Sequence, residues 1–256
     1  MRLLLTLLLF PLVLFAERPD WCKPQRFYAS FESAYLSRDR AGGSWQEGIL
    51  FGGHIGWDRV KFKGFYWGID AYYLTGTLMG QASSGCYAES AMQVNEVEGR
   101  LGWTFCLPWR WSPTVTPFVG YGYYHESNRF HANCPWQVRF RAYYDDLVLG
   151  FLSSVNPCST YSIGLNIKVG LIRQGHNRIS EDPMANPVSQ RTGDRPQYTV
   201  ELPLTLYPCR KCRCLEIAVV PFYRLRHFGG RENYPFDFFE TRLSFYGARA
   251  ELGIRW

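Results

Sequence analysis

The chain of 256 residues contains no apolar run long enough to form a membrane-spanning helix. Its one continuous apolar stretch, residues 3–16, is interrupted only by Thr6 and Pro11 and follows a single positive charge at Arg2. A short apolar segment with an alanine before Glu17 predicts a secretory signal peptide over residues 1–16. The roughly 240 residues that follow suit one large all-β domain better than two domains.

The chain also lacks a strong excess of one charge, since its formal net charge is only +6. No tight basic run with interleaved aromatic residues is present, so nucleic acid is not an expected partner. There is no internal repeat, low-complexity tract or domain boundary. We expect no bound cofactor and no dedicated metal site.

The chain is rich in aromatic residues, which make up 17% of it, and its mean hydropathy is −0.21. Apolar and polar residues alternate with a period of two in many segments, the clearest being residues 159–173. This period predicts β-strands with one apolar and one polar face. The predicted strands are 27–38, 48–60, 65–78, 92–107, 114–125, 138–152, 159–173, 197–207, 214–228 and 238–256. The sixth alternates poorly and predicts a bulge, and Pro203 is expected to cost the eighth one ladder bond.

The predicted connections are short and long in alternation. Short turns are expected at 61–64, 108–113, 153–158 and 208–213. Long loops are expected at 39–47, 79–91, 126–137, 174–196 and 229–237. An even number of strands with this alternation is typical of an up-and-down transmembrane β-barrel. The interpretation puts the barrel at residues 27–256, with residues 17–26 as a periplasmic segment, short periplasmic turns and long outer loops.

The last strand carries the most specific resemblance. Its alternating apolar residues end at a tryptophan, and they include Tyr246, Leu252, Ile254 and Trp256. This pattern resembles the C-terminal strand of outer-membrane β-barrels of Gram-negative bacteria. The resemblance implies an outer-membrane location, barrel closure by this strand and reading by the barrel insertion machinery. It also implies contact with outer-membrane lipid. The modest positive charge could contact anionic lipopolysaccharide, although simple solvation of the loops is the plainer interpretation.

A barrel in lipid turns its apolar face outward and its polar face inward. The charged residues expected to face the lumen are Glu96, Glu98, Arg100, Lys168, Glu201, Glu216, Arg249 and Glu251. They either line a small pore or form a charge-paired core, and the second interpretation is favoured because the interior of about ten strands is narrow. The tryptophans expected at the membrane interface are Trp57, Trp67, Trp103, Trp109 and Trp111.

The chain has 8 cysteines, and all lie after the predicted signal peptide. An even number in an exported chain predicts disulfides. The topology puts Cys86 and Cys134 in adjacent outer loops, so we predict that they pair. The remaining six lie near the periplasmic end: Cys22, Cys106, Cys158, Cys209, Cys212 and Cys214. These form local bridges or crosslinks to envelope proteins, and a zinc site at 209–214 is disfavoured because no fourth ligand is near.

Catalysis has one candidate motif, the run from His125 to Asn128 at the outer end of the fifth strand. The spacing places His125 and Ser127 on one face. The motif resembles the His-x-Ser-Asn element of lipid A deacylases, which implies a Ser nucleophile activated by the His. Asp145 or Asp146, across the hairpin, would orient the His. The preferred interpretation is that these residues are simply the polar end of a strand that runs into a loop, with no catalytic role.

Surface protease barrels of the omptin type offer a resemblance in architecture only. Those enzymes use paired acids, and Asp145–Asp146 is the one adjacent acidic pair that this chain offers. The favoured function is a structural or interaction barrel in the cell envelope. The alternatives are a small pore and a surface hydrolase.

Overall fold

The computed structural model describes residues 24–61, 63–82, 85–109, 111–131, 138–158, 160–182, 186–191, 195–208, 214–229 and 240–256. The predicted signal peptide lies outside these ranges. The strands are β1 (Gln25–Arg40), β2 (Ser44–Arg59), β3 (Gly64–Gln81), β4 (Tyr87–Cys106), β5 (Thr114–Phe130), β6 (Arg139–Cys158), β7 (Tyr161–Ser180), β8 (Val188–Arg191), β9 (Pro196–Glu201), β10 (Leu204–Leu206), β11 (Leu215–Phe228) and β12 (Thr241–Arg255). No helix in these ranges is long and apolar enough to cross a membrane.

The strands form one closed antiparallel sheet. Each of β1 to β7 pairs with the next, and β12 pairs with both β11 and β1. The sheet therefore has no free edge at the β1–β12 junction, where Gln25 and Trp256 exchange two backbone hydrogen bonds of 3.2 and 3.1 Å. We call the end of the barrel where Gln25 pairs with Trp256 the proximal end, and the opposite end the distal end.

Three short strands share one position in the wall. β8, β9 and β10 pair in turn with successive stretches of β7, and β9 and β10 also pair with β11. Counted together they make the eighth strand of a closed barrel of 10 strands. The break between β9 and β10 falls at Leu202–Pro203, because proline has no amide hydrogen to donate to the ladder. The predicted all-β barrel of about ten strands is therefore confirmed.

The strands are longer than the sequence pattern predicts, and the loops are correspondingly shorter. β1 and β2 join through residues 41–43, where Gly42 and Gly43 adopt φ of 94° and 86°. The long loop predicted at 39–47 is therefore wrong. The turn predicted at 153–158 is wrong too, because β6 continues to Cys158. Polar residues extend these strands because strand pairing satisfies their backbone groups beyond the apolar band.

The bulge predicted for the sixth strand lies past the predicted segment, at Asn156–Pro157, which together oppose Ser162; near Asp145–Asp146 the extra residue is Arg173 on β7. The register between β6 and β7 shifts at Asp145–Asp146 and again between Val155 and Cys158. On β6 itself the alternation of faces is unbroken at the two aspartates, since Asp145 pairs with Tyr123 and Asp146 with Gly122. The two aspartates consequently point to opposite sides of the wall, which matters for the catalytic candidates.

The outward wall is apolar around the barrel. Phe31 on β1 is 61% exposed, and the other strands expose similar side chains. Among these are Ile55, Ile69, Val97, Leu101, Val119, Leu149, Leu171, Val219 and Leu252. Water would disfavour so large an exposed apolar surface, whereas lipid solvates it. Trp57 and Trp67 meet edge to face on this wall at 5.0 Å near the proximal end, and Trp103, Trp109 and Trp111 are exposed at the same end.

Candidate functional site

The proximal half of the interior is a network of buried ion pairs. Arg249 donates two hydrogen bonds to the carboxylate of Glu201, at 2.7 and 3.3 Å, and Lys168 Nζ lies 2.9 Å from Glu98 Oε2. Arg226 donates to Glu96 Oε2 at 2.5 Å. These partners come from different strands, so the network ties the wall together across the lumen.

The charges predicted to face the lumen all lie in this network. Glu216 accepts hydrogen bonds from Arg26 and Arg255, and Glu251 from Arg26 and Arg249. Arg100 donates to Asp70 and lies 3.4 Å from Glu98 Oε1. Each carboxylate in the network has a cationic neighbour, which is what makes burial of charge tolerable.

Sequence reasoning missed several members of the network. Arg26 and Arg255 flank the apolar residues at the ends of the first and last strands, and Glu32 was not recognised at all. Alternation alone points to Glu32, because Phe31 faces outward and the next residue must face inward. His54, Asp58, Asp70, Arg224 and Arg226 lie on polar faces of their predicted strands but were not counted among the lumen charges.

His54 is the one buried imidazole in the described interior. Its Nδ1 lies 3.6 Å from Glu32 Oε2 and its Nε2 lies 3.5 Å from Asp70 Oδ1. Next to it is a cavity of about 70 Å³ lined by Arg26, Asp58, Lys168 and Arg249 among others. A cavity of this size has room for a few water molecules at most.

The distal half of the interior is apolar instead of polar. Tyr124 and Tyr144 stack at 4.7 Å between ring centroids, and Phe228 packs on both at 6.2 and 5.7 Å. We call these three rings the aromatic plug. They are surrounded by other fully buried side chains of the same cluster: Leu36, Leu50, Leu74, Leu78, Met92, Val94, Leu243 and Phe245. A uniformly polar lumen is therefore not what this sequence forms.

A small polar layer covers the plug on its distal side. Gln46 Oε1 accepts hydrogen bonds from Arg38 at 3.0 Å and from Asn128 at 2.9 Å, and Gln46 Nε2 donates to Ser90 at 2.8 Å. All four residues are buried. The interior thus holds ion pairs, an apolar layer and a polar cap in sequence from the proximal to the distal end.

The candidate catalytic residues are divided between the two faces of the wall. His125 and Ser127 share the outward face, whereas Asn128 faces inward and bonds to Gln46. His125 Nδ1 lies 3.3 Å from Asn95 Nδ2. Asp145 neighbours Tyr123 on the outward face, and Asp146 points into the lumen opposite Gly122. The described contacts of His125 include no carboxylate, so the geometry does not assemble a His–acid pair.

The cysteines are only partly described. Cys86 is exposed at the distal end, and Cys134, its predicted partner, lies outside the described residues. Cys106, Cys158 and Cys214 lie at the proximal end, while Cys22, Cys209 and Cys212 are also outside the described ranges. No disulfide joins two described cysteines. Within the same ranges no group of three His, Cys, Asp or Glu side chains is placed to hold a metal ion. The disulfide pairings stay predictions.

A closed antiparallel sheet with a lipid-compatible outer wall and a filled interior defines the class: a transmembrane β-barrel. Among solved structures, the chain is similar to the outer-membrane protease OmpT of Escherichia coli, at 12% identity and a TM-score of 0.59, over 94% of this chain and 100% of that chain. It is also similar to the translocator domain of the autotransporter NalP of Neisseria meningitidis, at 10% identity and a TM-score of 0.52, over 94% of this chain and 91% of that chain.

The chain therefore has the fold of an outer-membrane β-barrel of Gram-negative bacteria. No protein-family model and no curated protein matches the sequence. At these identities the likeness carries the fold and not the protease or translocator activity. The features that bear on function are the interior, the wall and the rims of this barrel.

Proposed function

We propose that this protein is a non-conducting barrel with a structural or interaction role in the outer membrane. The observation that carries the proposal is the aromatic plug, whose three rings close the lumen together with the aliphatic side chains around them. The proximal end, which carries the N-terminal strand start and Trp256, faces the periplasm in this proposal, and the distal end faces outward.

The plug blocks permeation for a simple reason. Tyr124, Tyr144 and Phe228 are essentially inaccessible, so no water column continues past them. An ion would have to leave water to cross this apolar layer, and such a step costs many kcal/mol. The paired charges below the plug add a second obstacle, because each fixed charge is already neutralised by a partner.

A sealed interior leaves the wall and the rims as the functional surfaces. The proposed partners are outer-membrane lipid and lipopolysaccharide along the wall, and the barrel insertion machinery during assembly. Other envelope proteins are proposed to bind through the cysteines of the proximal rim. Cys106, Cys158 and Cys214 are each partly exposed there, which is what a thiol needs for exchange with a second protein.

The test is single-channel recording from refolded protein in a planar bilayer. A gel shift between unheated and boiled samples first establishes that the barrel is folded. We expect no discrete conductance steps, while a general porin in the same bilayer conducts. Reproducible steps whose ion selectivity changes in Glu96→Gln or Arg100→Gln would overturn the proposal, because those residues would then line an open pore.

The interaction role needs a separate measurement. Non-reducing gels of whole envelopes are compared for the wild type and for Cys106→Ser/Cys158→Ser/Cys214→Ser. Bands of higher mass that disappear in the variant and on reduction support disulfide-linked partners. Migration as a monomer in both samples removes the crosslinking part of the proposal and leaves the sealed barrel standing.

A further inference from the structure

The distal part of the outward wall carries a surface of arginines on one side of the barrel. It comprises Arg129 on β5, Arg139 and Arg141 on β6, Arg173 and Arg178 on β7, and Arg191 on β8, and we call it the arginine belt. All six are exposed or half-exposed. Their outward direction follows from the register, because Arg141 pairs with the outward Ser127 and with the exposed Arg178.

The belt begins where the apolar wall ends. On β5 the exposed Tyr123 is followed on the same face by His125, Ser127 and Arg129. On β7 the exposed Leu171 is followed by Arg173. The belt therefore lies at the level where hydrocarbon gives way to headgroups, if the apolar band marks the lipid chains.

The positive charges of the belt face one another across neighbouring strands. Arg129 lies opposite Arg139, and Arg141 lies opposite Arg178. Like charges in directly opposed positions of a sheet destabilise it. An anionic ligand that lies between two such strands would remove this repulsion.

The protein itself neutralises only part of the belt. Glu181 accepts from Arg129 Nε and from Arg139, both at 2.9 Å. Arg141, Arg173, Arg178 and Arg191 form no ion pair with an acid of the described chain. The opposite wall differs in sign, because the distal outward positions of β1 to β3 include the exposed Asp39 and Glu47 and no arginine or lysine.

We propose that the arginine belt binds the phosphate groups of an outer-leaflet glycolipid headgroup. Guanidinium groups bind phosphate through paired hydrogen bonds, and the adjacent apolar wall contacts the acyl chains of the same molecule. The inference rests on the proposed function, since it requires the distal end to lie in the outer leaflet. On this proposal, this side of the wall selects a phosphorylated glycolipid.

The ring of Tyr143 stacks on His176 at 5.5 Å within the belt, distal to Arg173 and at the level of Arg191. A second protein molecule is the competing occupant, because Asp39 and Glu47 of another copy lie at the same height near the exposed Trp45. The experiment below separates these two occupants.

The test uses refolded protein in a non-ionic detergent and native mass spectrometry with diphosphorylated lipid A. The enzymatically dephosphorylated lipid serves as the matched ligand. Arg178→Gln and Arg141→Gln/Arg178→Gln are compared with Arg242→Gln, which removes an outward distal arginine from β12 on another side of the barrel. Arg178→Lys retains the charge.

We expect about fivefold weaker binding of the phosphorylated lipid for each belt arginine removed, corresponding to the usual contribution of a basic residue near an anionic lipid surface. Arg242→Gln and binding of the dephosphorylated lipid should be unaffected, and added salt should weaken binding in the wild type. Arg178→Lys should retain most of the affinity.

Three results would overturn the inference. Belt variants that bind as the wild type does would remove the site. An equal loss in Arg242→Gln would reduce the effect to net charge. Loss of dimers or larger species in the belt variants, with lipid binding intact, would assign the belt to a second copy. None of these results bears on conductance, so the sealed-barrel proposal is judged separately.

Discussion

Arg224 binds both carboxylate oxygens of Glu32, with N–O distances of 2.6 and 3.1 Å. Arg224 is on β11 and Glu32 is on β1, and β12 lies between these strands in the wall. The pair consequently spans the lumen rather than a strand junction. Both side chains are almost completely buried, and Arg224 also lies over the ring of Tyr72 at 4.3 Å.

Replacing Glu32 by Gln should destabilise the barrel by about 3–5 kcal/mol, because a buried guanidinium then loses its counter-charge. The free energy of unfolding is measured by urea titration of the folded protein in lipid vesicles. Glu47→Gln is the control, since Glu47 is exposed on the outward face. Removing both charges with Glu32→Leu/Arg224→Met should cost less than Glu32→Gln alone. A loss in the double variant that equals the sum of two single losses would contradict this interpretation.

Two adjacent glycines on β2 should respond differently to alanine. A Cβ at Gly52 would lie 1.7 Å from the backbone oxygen of Tyr73, whereas a Cβ at Gly53 would lie 3.6 Å from that of Ser30. Gly52→Ala should lower the free energy of unfolding by about 1–3 kcal/mol because β2 and β3 must move apart. Gly53→Ala should be neutral or slightly stabilising. Equal urea midpoints for the two variants would show that the sheet adjusts at no cost.

The side chain of Gln197 replaces strand pairing at the interrupted position of the wall. It donates to the backbone oxygen of His227 at 2.7 Å and accepts from the backbone amide of His227 at 2.8 Å. Gln197→Leu leaves both backbone groups unpaired in a buried place, and we expect a loss of about 1–3 kcal/mol. The amide hydrogen of His227 should exchange faster with solvent.

Gln81→Leu provides the comparison for this substitution, because Gln81 is exposed and donates only to the oxygen of Gly85. It should change the unfolding free energy by less than about 0.5 kcal/mol. If the amide hydrogen of His227 exchanges at the same rate in Gln197→Leu, then the neighbouring ladder between β9 and β11 alone holds this part of the wall together.

The predicted bridge between Cys86 and Cys134 can be read directly from the protein. Peptide mapping without reduction should recover one linked peptide that contains both residues, and reduction should separate it. Cys86→Ser should leave a free thiol at Cys134 and lower stability by about 2–4 kcal/mol, the usual range for closing a loop. Full alkylation of both thiols in the untreated wild type would exclude the bridge.

The strand positions of this barrel are close to what alternation in the sequence predicts. Ile55, Ile69 and Val97 all expose their side chains on the wall, because a period of two fixes the face once one residue is placed. The same rule puts Glu201, Glu216 and Arg249 inside. The loops were predicted too long because polar sequence at 39–47 was interpreted as loop, whereas backbone pairing continues through it.

The catalytic motif shows the limit of local spacing. His125 and Ser127 do share a face, as their separation by two requires. Asp145 and Asp146 point to opposite faces by the same alternation, so only Asp145 shares the outward face of His125. The register between β5 and β6 pairs His125 with Tyr143 and Asp145 with Tyr123, and no pattern within one strand determines that register.

The sequence by itself determined the architecture: alternating strands that must close because lipid satisfies no backbone group. Only the tertiary structure decided what fills the barrel. Leu36 and Leu74 face the interior although each follows an exposed tyrosine, and alternation cannot tell an apolar residue that faces lipid from one that faces a plug. That choice depends on which side chains of distant strands meet across the lumen, and closure of the sheet is what brings them together.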